Sequence, residues 1–118
     1  MFHITGTVDN GPIDITKNAV ILQHGMGGTG YGWLVNIVPG SGMKEKPMSL
    51  QLADLGYDVY MTNNSGVQYS QEHDVYTKYQ KEFWQMDWRK YGVYDLPAAV
   101  AEIQTRNGGA KVAYVGHS

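Results

Sequence analysis

Lys111-Val112-Ala113-Tyr114-Val115-Gly116-His117-Ser118 is an apolar run closed by Gly-x-Ser, and the fold is decided by how it is read. Lys111 to Val115 suit a strand, Gly116 leaves room for a tight turn, and Ser118 would project its hydroxyl above a sheet. This is the beginning of G-x-S-x-G, the elbow in which a nucleophilic serine sits on a strained strand-to-helix turn. Three of the five motif positions are present. Gly-x-Ser is common by chance, so its weight comes from the apolar strand before it and from a second strand end upstream.

That second strand end is Ala19-Val20-Ile21-Leu22, a short continuous apolar run of the kind covered on both faces. Gln23-His24-Gly25-Met26-Gly27-Gly28-Thr29-Gly30 follows it. Gly25 to Gly30 matches G-x-G-x-x-G, the dinucleotide fingerprint of a nicotinamide-cofactor oxidoreductase. That fingerprint needs a helix opening directly from the loop and an acidic residue about 20 positions on. Tyr31-Gly32-Trp33 and then Pro39-Gly40-Ser41-Gly42 leave no room for such a helix, and the acidic residue is missing. A second reading is an oxyanion loop, in which His-Gly leaves a strand and turns backbone N–H groups toward developing negative charge. A third is a tight surface turn that needs several residues at positive φ. Taken alone the loop favours the tight surface turn; the Gly116-His117-Ser118 end decides for the oxyanion loop.

Working outward, Phe2 and Ile4, with Val8, alternate with polar neighbours as a half-buried strand does. Asp9-Asn10-Gly11-Pro12 is a turn. Pro47 stands where a first helical turn would begin, with Leu50, Ala53 and Leu55 as its apolar face and Gly56 ending it. Tyr57 to Met61 reads as a strand stopped by Asn63-Asn64-Ser65-Gly66, and residues 67–82 as a long loop. From about Trp84 to Arg106 the period is helical, with Leu96, Val100 and Ile103 on one face and Ala99 beside them. Pro97 should start a new helix there or kink the existing one. Asn107-Gly108-Gly109 ends it. The alternation predicts a mainly parallel sheet with helices packed on its faces.

Composition narrows the function. A net charge of −2 with 17% charged residues gives no electrostatic case for nucleic acid. The ten aromatics from Tyr57 to Tyr94 could form a base-stacking surface only with basic neighbours. Lys78, Lys81, Arg89 and Lys90 are offset by Glu72, Asp74, Glu82 and Asp87, so these aromatics are expected to pack in the core. With no cysteine there is no thiolate nucleophile, disulfide or zinc–thiolate site, and no His/Asp/Glu run has metal-ligand spacing. Asn63-Asn64-Ser65 is a glycosylation sequon. Met1 to Gly6 show neither the basic nor the apolar region of a signal peptide.

In the order in which they occur, several blocks resemble the acid lipase family of α/β-hydrolases, which includes gastric and lysosomal acid lipases. They are Leu22-Gln23-His24-Gly25 with Trp33 and Asn36, then Leu52-Ala53-Asp54-Leu55-Gly56-Tyr57-Asp58-Val59-Tyr60, then Glu82-Phe83-Trp84 and Tyr94-Asp95-Leu96-Pro97-Ala98-Ala99, and finally Tyr114-Val115-Gly116-His117-Ser118. The resemblance implies a partial α/β-hydrolase fold, with a mainly parallel sheet and helices on both faces, and 1–118 as the N-terminal part of a larger domain. It implies hydrolysis of neutral-lipid esters through a serine acyl-enzyme, with no cofactor and no metal. Ser118 would be the nucleophile and the Met26 N–H one oxyanion donor, supported by His24, Gly25, Gly116 and His117; the second donor would belong to the residue after the serine. A lipid–water interface would be met through a cap region that lies outside these residues. The family pattern also suggests a lysosomal or secreted protein with further chain before Met1, so the missing leader carries no information. The sequence departs from the family at Asn63–Gly66 and at Gly27-Gly28, which bears on substrate rather than on the nucleophile.

A serine needs a histidine to take its proton and an acid to orient that histidine, and in this fold the order is Ser, acid, His. His24 is expected to hold the loop, His117 cannot easily reach its neighbour's hydroxyl, and His3 and His73 read as surface or satisfied polar residues. The 118 residues alone are therefore expected to be inactive. The alternatives are a general carboxylesterase and a non-catalytic lipase-derived fragment.

Overall fold

The computed structural model of the chain describes residues 1–35 and 46–118, so Asn36 and Pro39–Gly42 lie outside the described residues. Six strands are present among them: β1 Phe2–His3, β2 Gly6–Thr7, β3 Gly11–Pro12, β4 Ala19–Gln23, β5 Asp58–Met61 and β6 Val112–Gly116. The main sheet has the order β1-β5-β4-β6. β4 lies parallel to both β5 and β6, and β1 is an antiparallel edge on β5. β2 and β3 form a separate small hairpin.

β4 is apolar throughout because both of its faces are covered, the condition for a continuous run rather than an alternating one. On one face Val20, Leu22, Val59 and Met61 meet Ala53 of helix α1, Met48–Asp54. On the other, Ala19, Ile21 and Tyr60 meet Ile103 of helix α3, Leu96–Asn107, with Leu96, Ala99 and Val100 packed around them. Helices therefore lie on both faces, as expected. Ile21 and Leu22 are fully buried, each worth about 2 kcal/mol of apolar transfer.

α1 ends in a Schellman motif. Gly56 takes φ +90°, its N–H donates to the Ala53 carbonyl, and the Tyr57 N–H reaches back to Leu52. The expected apolar face is corrected at one position: Leu55 lies past the last turn and is 75% exposed, and Ser49 takes a buried place instead, donating to the Trp33 carbonyl at 2.6 Å. Val8 is fully exposed between β2 and β3 rather than in a strand, because the chain turns there and Asn10 bonds back to Thr7 Oγ1.

The second helical region starts later than its period suggests. Residues 81–84 form a single 3₁₀ turn, and α2, Trp88–Lys90, opens only after Asp87, whose carboxylate caps the Lys90 N–H. Tyr91–Asp95 is a π turn in which the Leu96 N–H donates to the Tyr91 carbonyl. Pro97 has no N–H to give, and its ring would meet the carbonyl four residues back; the wider turn accommodates it. The aromatics of this region are mostly not in the core. Tyr60 and Phe83 are buried, whereas Tyr79, Trp88 and Tyr94 are well exposed. Segment 62–80 has no regular element to bury a side of itself, and the face of α2 and the π turn looks onto a cleft.

Candidate active site

The site stands at the C-terminal ends of β4 and β6, adjacent parallel strands paired as far as Gln23 and Gly116. The ladder runs one bond further, the His117 N–H donating to the Gln23 carbonyl at 3.1 Å. Both strands therefore release their chains at the same level of the sheet. Gly25 leaves one and Ser118 leaves the other.

Gly25 lets these two segments touch. A Cβ at Gly25 would lie 2.8 Å from His117 Nδ1 and 3.0 Å from Ser118 Cβ, so only glycine brings the loop backbone this close to the serine. Ser118 has φ 63°, the one non-glycine residue with positive φ among the described residues. A serine in the left-handed region is strained, as an elbow requires. At Gly116 a Cβ would meet the Tyr114 ring at 2.9 Å. Met26 follows Gly25, is 94% exposed, and lines the same cleft as Ser118.

A polar web fixes the loop from behind. His24 Nε2 accepts from the Asn64 N–H at 3.1 Å, so its proton is on Nδ1, which lies 2.8 Å from the Gly25 carbonyl. Gly28 N–H donates to the Gly25 carbonyl as well, and Gly27, at φ 74°, turns the chain between them. Asn63 Oδ1 accepts from the Gly30 N–H, and Thr62 Oγ1 donates to Gln23 Oε1. Ser65 gives its N–H and its hydroxyl to the two carboxylate oxygens of Asp95 at 2.7 and 2.8 Å, tying this turn to the π turn. Asn63 and Ser65 of the sequon are thus engaged inside the fold.

Sequence reasoning missed Asp95, Gln23 and Thr62. Their partners are far away in the chain, and nothing local marks a carboxylate that will accept from a distant turn.

The histidines divide as follows. His24 serves the loop, and His3 Nε2 lies 2.6 Å from the fully buried Asp58. His73 Nδ1 accepts from the Val75 and Tyr76 N–H groups. His117 packs its ring against Gly25. Among the described residues none hydrogen-bonds the Ser118 hydroxyl, and no cluster of three metal-ligating side chains occurs. The loop after β4 runs into a single short 3₁₀ segment, Gly30–Leu34, rather than the long helix a dinucleotide site uses. A cleft of about 470 Å³ opens beside Ser118.

Comparison with known proteins places the chain in a family. A family model described as the alpha/beta hydrolase fold matches residues 18–118. Gastric triacylglycerol lipase of Bos taurus is 38% identical over 102 residues, covering 86% of this chain and 24% of that protein. Lysosomal acid lipase/cholesteryl ester hydrolase of Homo sapiens is 36% identical over 110 residues, covering 93% of this chain and 25% of that protein. Triacylglycerol lipase 2 of Arabidopsis thaliana is 35% identical over 102 residues, covering 86% and 23% respectively. The chain spans about a quarter of the length of the curated relatives it matches.

Proposed function

The chain belongs to the alpha/beta hydrolase fold family, and from that premise we propose that it is the N-terminal part of a serine hydrolase domain acting on the ester bonds of neutral lipids. The observation that carries the proposal is the approach of Gly25 to Ser118 across the β4 and β6 strand ends. It sets a strained serine against a loop whose next N–H, that of Met26, can face an oxyanion. The names of the relatives above support a lipid ester as substrate.

In this mechanism Ser118 Oγ attacks the ester carbonyl carbon, and the carbonyl oxygen becomes an oxyanion that accepts from the Met26 N–H. The second donor in this fold is the N–H of the residue after the nucleophile. The alcohol leaves with a proton, and the acyl group stays on Ser118 until water removes it. A preorganised donor of this kind is worth about 3 kcal/mol in the transition state. The serine proton needs a base, and the four histidines here leave that role to residues beyond the 118.

The test has two arms. The purified 118-residue chain should show no Ser118-dependent turnover of a nitrophenyl ester; a rate that falls in Ser118→Ala would overturn the division of labour. In a longer polypeptide that carries these residues and hydrolyses lipid esters, Ser118→Ala should lower kcat by at least about 10⁴-fold. Retained activity there would remove Ser118 from its role.

A further inference from the structure

Two of the aromatics outside the core, Trp88 and Tyr91, share a destination. Trp88, Tyr91, Gly92 and Leu96, from α2 through the π turn to the start of α3, line the Ser118 cleft together with Met26 and Tyr114. We propose that this helix segment is the acyl-chain wall of the cleft, and that Gly92 determines how long a chain it accepts. The proposal rests on the ester-hydrolase reading above and names the part of the substrate that this wall holds.

Three observations carry it. The wall is continuous with the serine, so a chain attached to a carbonyl at Ser118 has this surface next to it. Its volume of about 470 Å³ falls within the range of small-ligand clefts, about 300–1,000 Å³. On this segment the lining side chains are Trp88, Tyr91 and Leu96, while Gln23, His24, Asn64 and His117 line the cleft near the serine; Trp88, 75% exposed, does not pack in the core. The wider π turn sets Gly92 on this surface, and a Cβ there meets nothing within 4 Å. A larger side chain at Gly92, a residue that lines the cleft, has open space around it. Each methylene kept from the wall should cost about fourfold in affinity.

Trp88 supplies a readout that needs no turnover. The full chain, its Trp88→Phe variant and its Gly92→Phe variant are titrated with brominated palmitate methyl ester and with brominated butyrate methyl ester, following tryptophan quenching. The palmitate ester should quench emission in a way that Trp88→Phe abolishes. Gly92→Phe should weaken palmitate binding about tenfold or more and leave butyrate binding within about twofold. Gly92→Ala, which adds one methyl, should retain palmitate binding, and circular dichroism should show all variants folded. Quenching that survives in Trp88→Phe, or palmitate binding unchanged in Gly92→Phe, overturns the proposal. The catalytic reading fails separately, through the Ser118→Ala turnover test; the wall would then still bind acyl chains. Intact turnover without Trp88 quenching would remove the wall and leave the nucleophile.

Discussion

A methyl placed on Gly30 would lie 2.8 Å from the Thr62 carbonyl oxygen and 3.0 Å from that of Met61, both backbone atoms at the end of β5. Neither can retreat without moving the strand, so Gly30→Ala should cost about 3 kcal/mol, seen as a lower urea midpoint at unchanged slope. Gly32→Ala, which meets nothing within 4 Å, is the matched control and should stay within about 0.5 kcal/mol. Tyr60 makes the opposite case. Its hydroxyl is buried without a bond of regular geometry, although Asp58 and Arg106 are close enough to act on it. Burial pushes the phenol up to about 12, with the Asp58 carboxylate adding to the effect. Unfolded tyrosine ionises near pH 10 while folded Tyr60 stays neutral, so the unfolded chain holds fewer protons between pH 10 and 12. Stability is complete below pH 10 and falls through that window, by up to about 2 kcal/mol. Tyr60→Phe should change stability at pH 8 by less than about 1 kcal/mol and flatten this alkaline loss, as urea melts at pH 8 and 11 would show.

Among the elements, the π turn links the site to the long segment before it through one carboxylate. Asp95→Ala frees two donors of Ser65 and should cost about 2 kcal/mol. It should also speed hydrogen exchange of the 62–66 amides more than those of β4, measured by mass spectrometry; equal protection in both would show that Asp95 does not hold this turn. What the sequence disclosed at this scale follows from local signals. β4 was legible because a two-sided strand is apolar at every position. The core face of α3, Leu96, Val100 and Ile103, was legible from its period, and Gly56 and Gly108 mark helix ends because glycine takes φ of 90° and 71° without steric cost. The start at Trp88 was not, because Trp84 fits the apolar period although its backbone forms a separate 3₁₀ turn before the Asp87 cap. Nor was the exposure of the aromatics: composition says that a tryptophan prefers an apolar neighbour, not whether that neighbour is core or cleft. Gly25 could be read as a loop glycine, but its contact with Ser118 depends on the pairing of two distant strands.

At the scale of the whole molecule, β6 is paired on one side only among the described residues and carries Tyr114 and Val115 at 51% and 37% exposure. An unpaired apolar edge invites strand addition. The isolated 118-residue chain should therefore self-associate with rising concentration, and Val115→Lys should reduce this in light scattering without lowering helix content. A chain that stays monomeric at high concentration would show that this edge is protected.

The ladder between β4 and β6 acts as a ruler. Adjacent strands stand about 4.8 Å apart whatever the chain does between them. The distance from Gly25 to Ser118 is thus inherited from backbone pairing and is independent of the length of the path joining Gln23 to Gly116. Insertions in the irregular stretch between β5 and α2 would lengthen that path at small entropic cost. They would leave the spacing untouched. A lineage built on this arrangement can remodel the surrounding surface while Gly25 and Ser118 keep their separation.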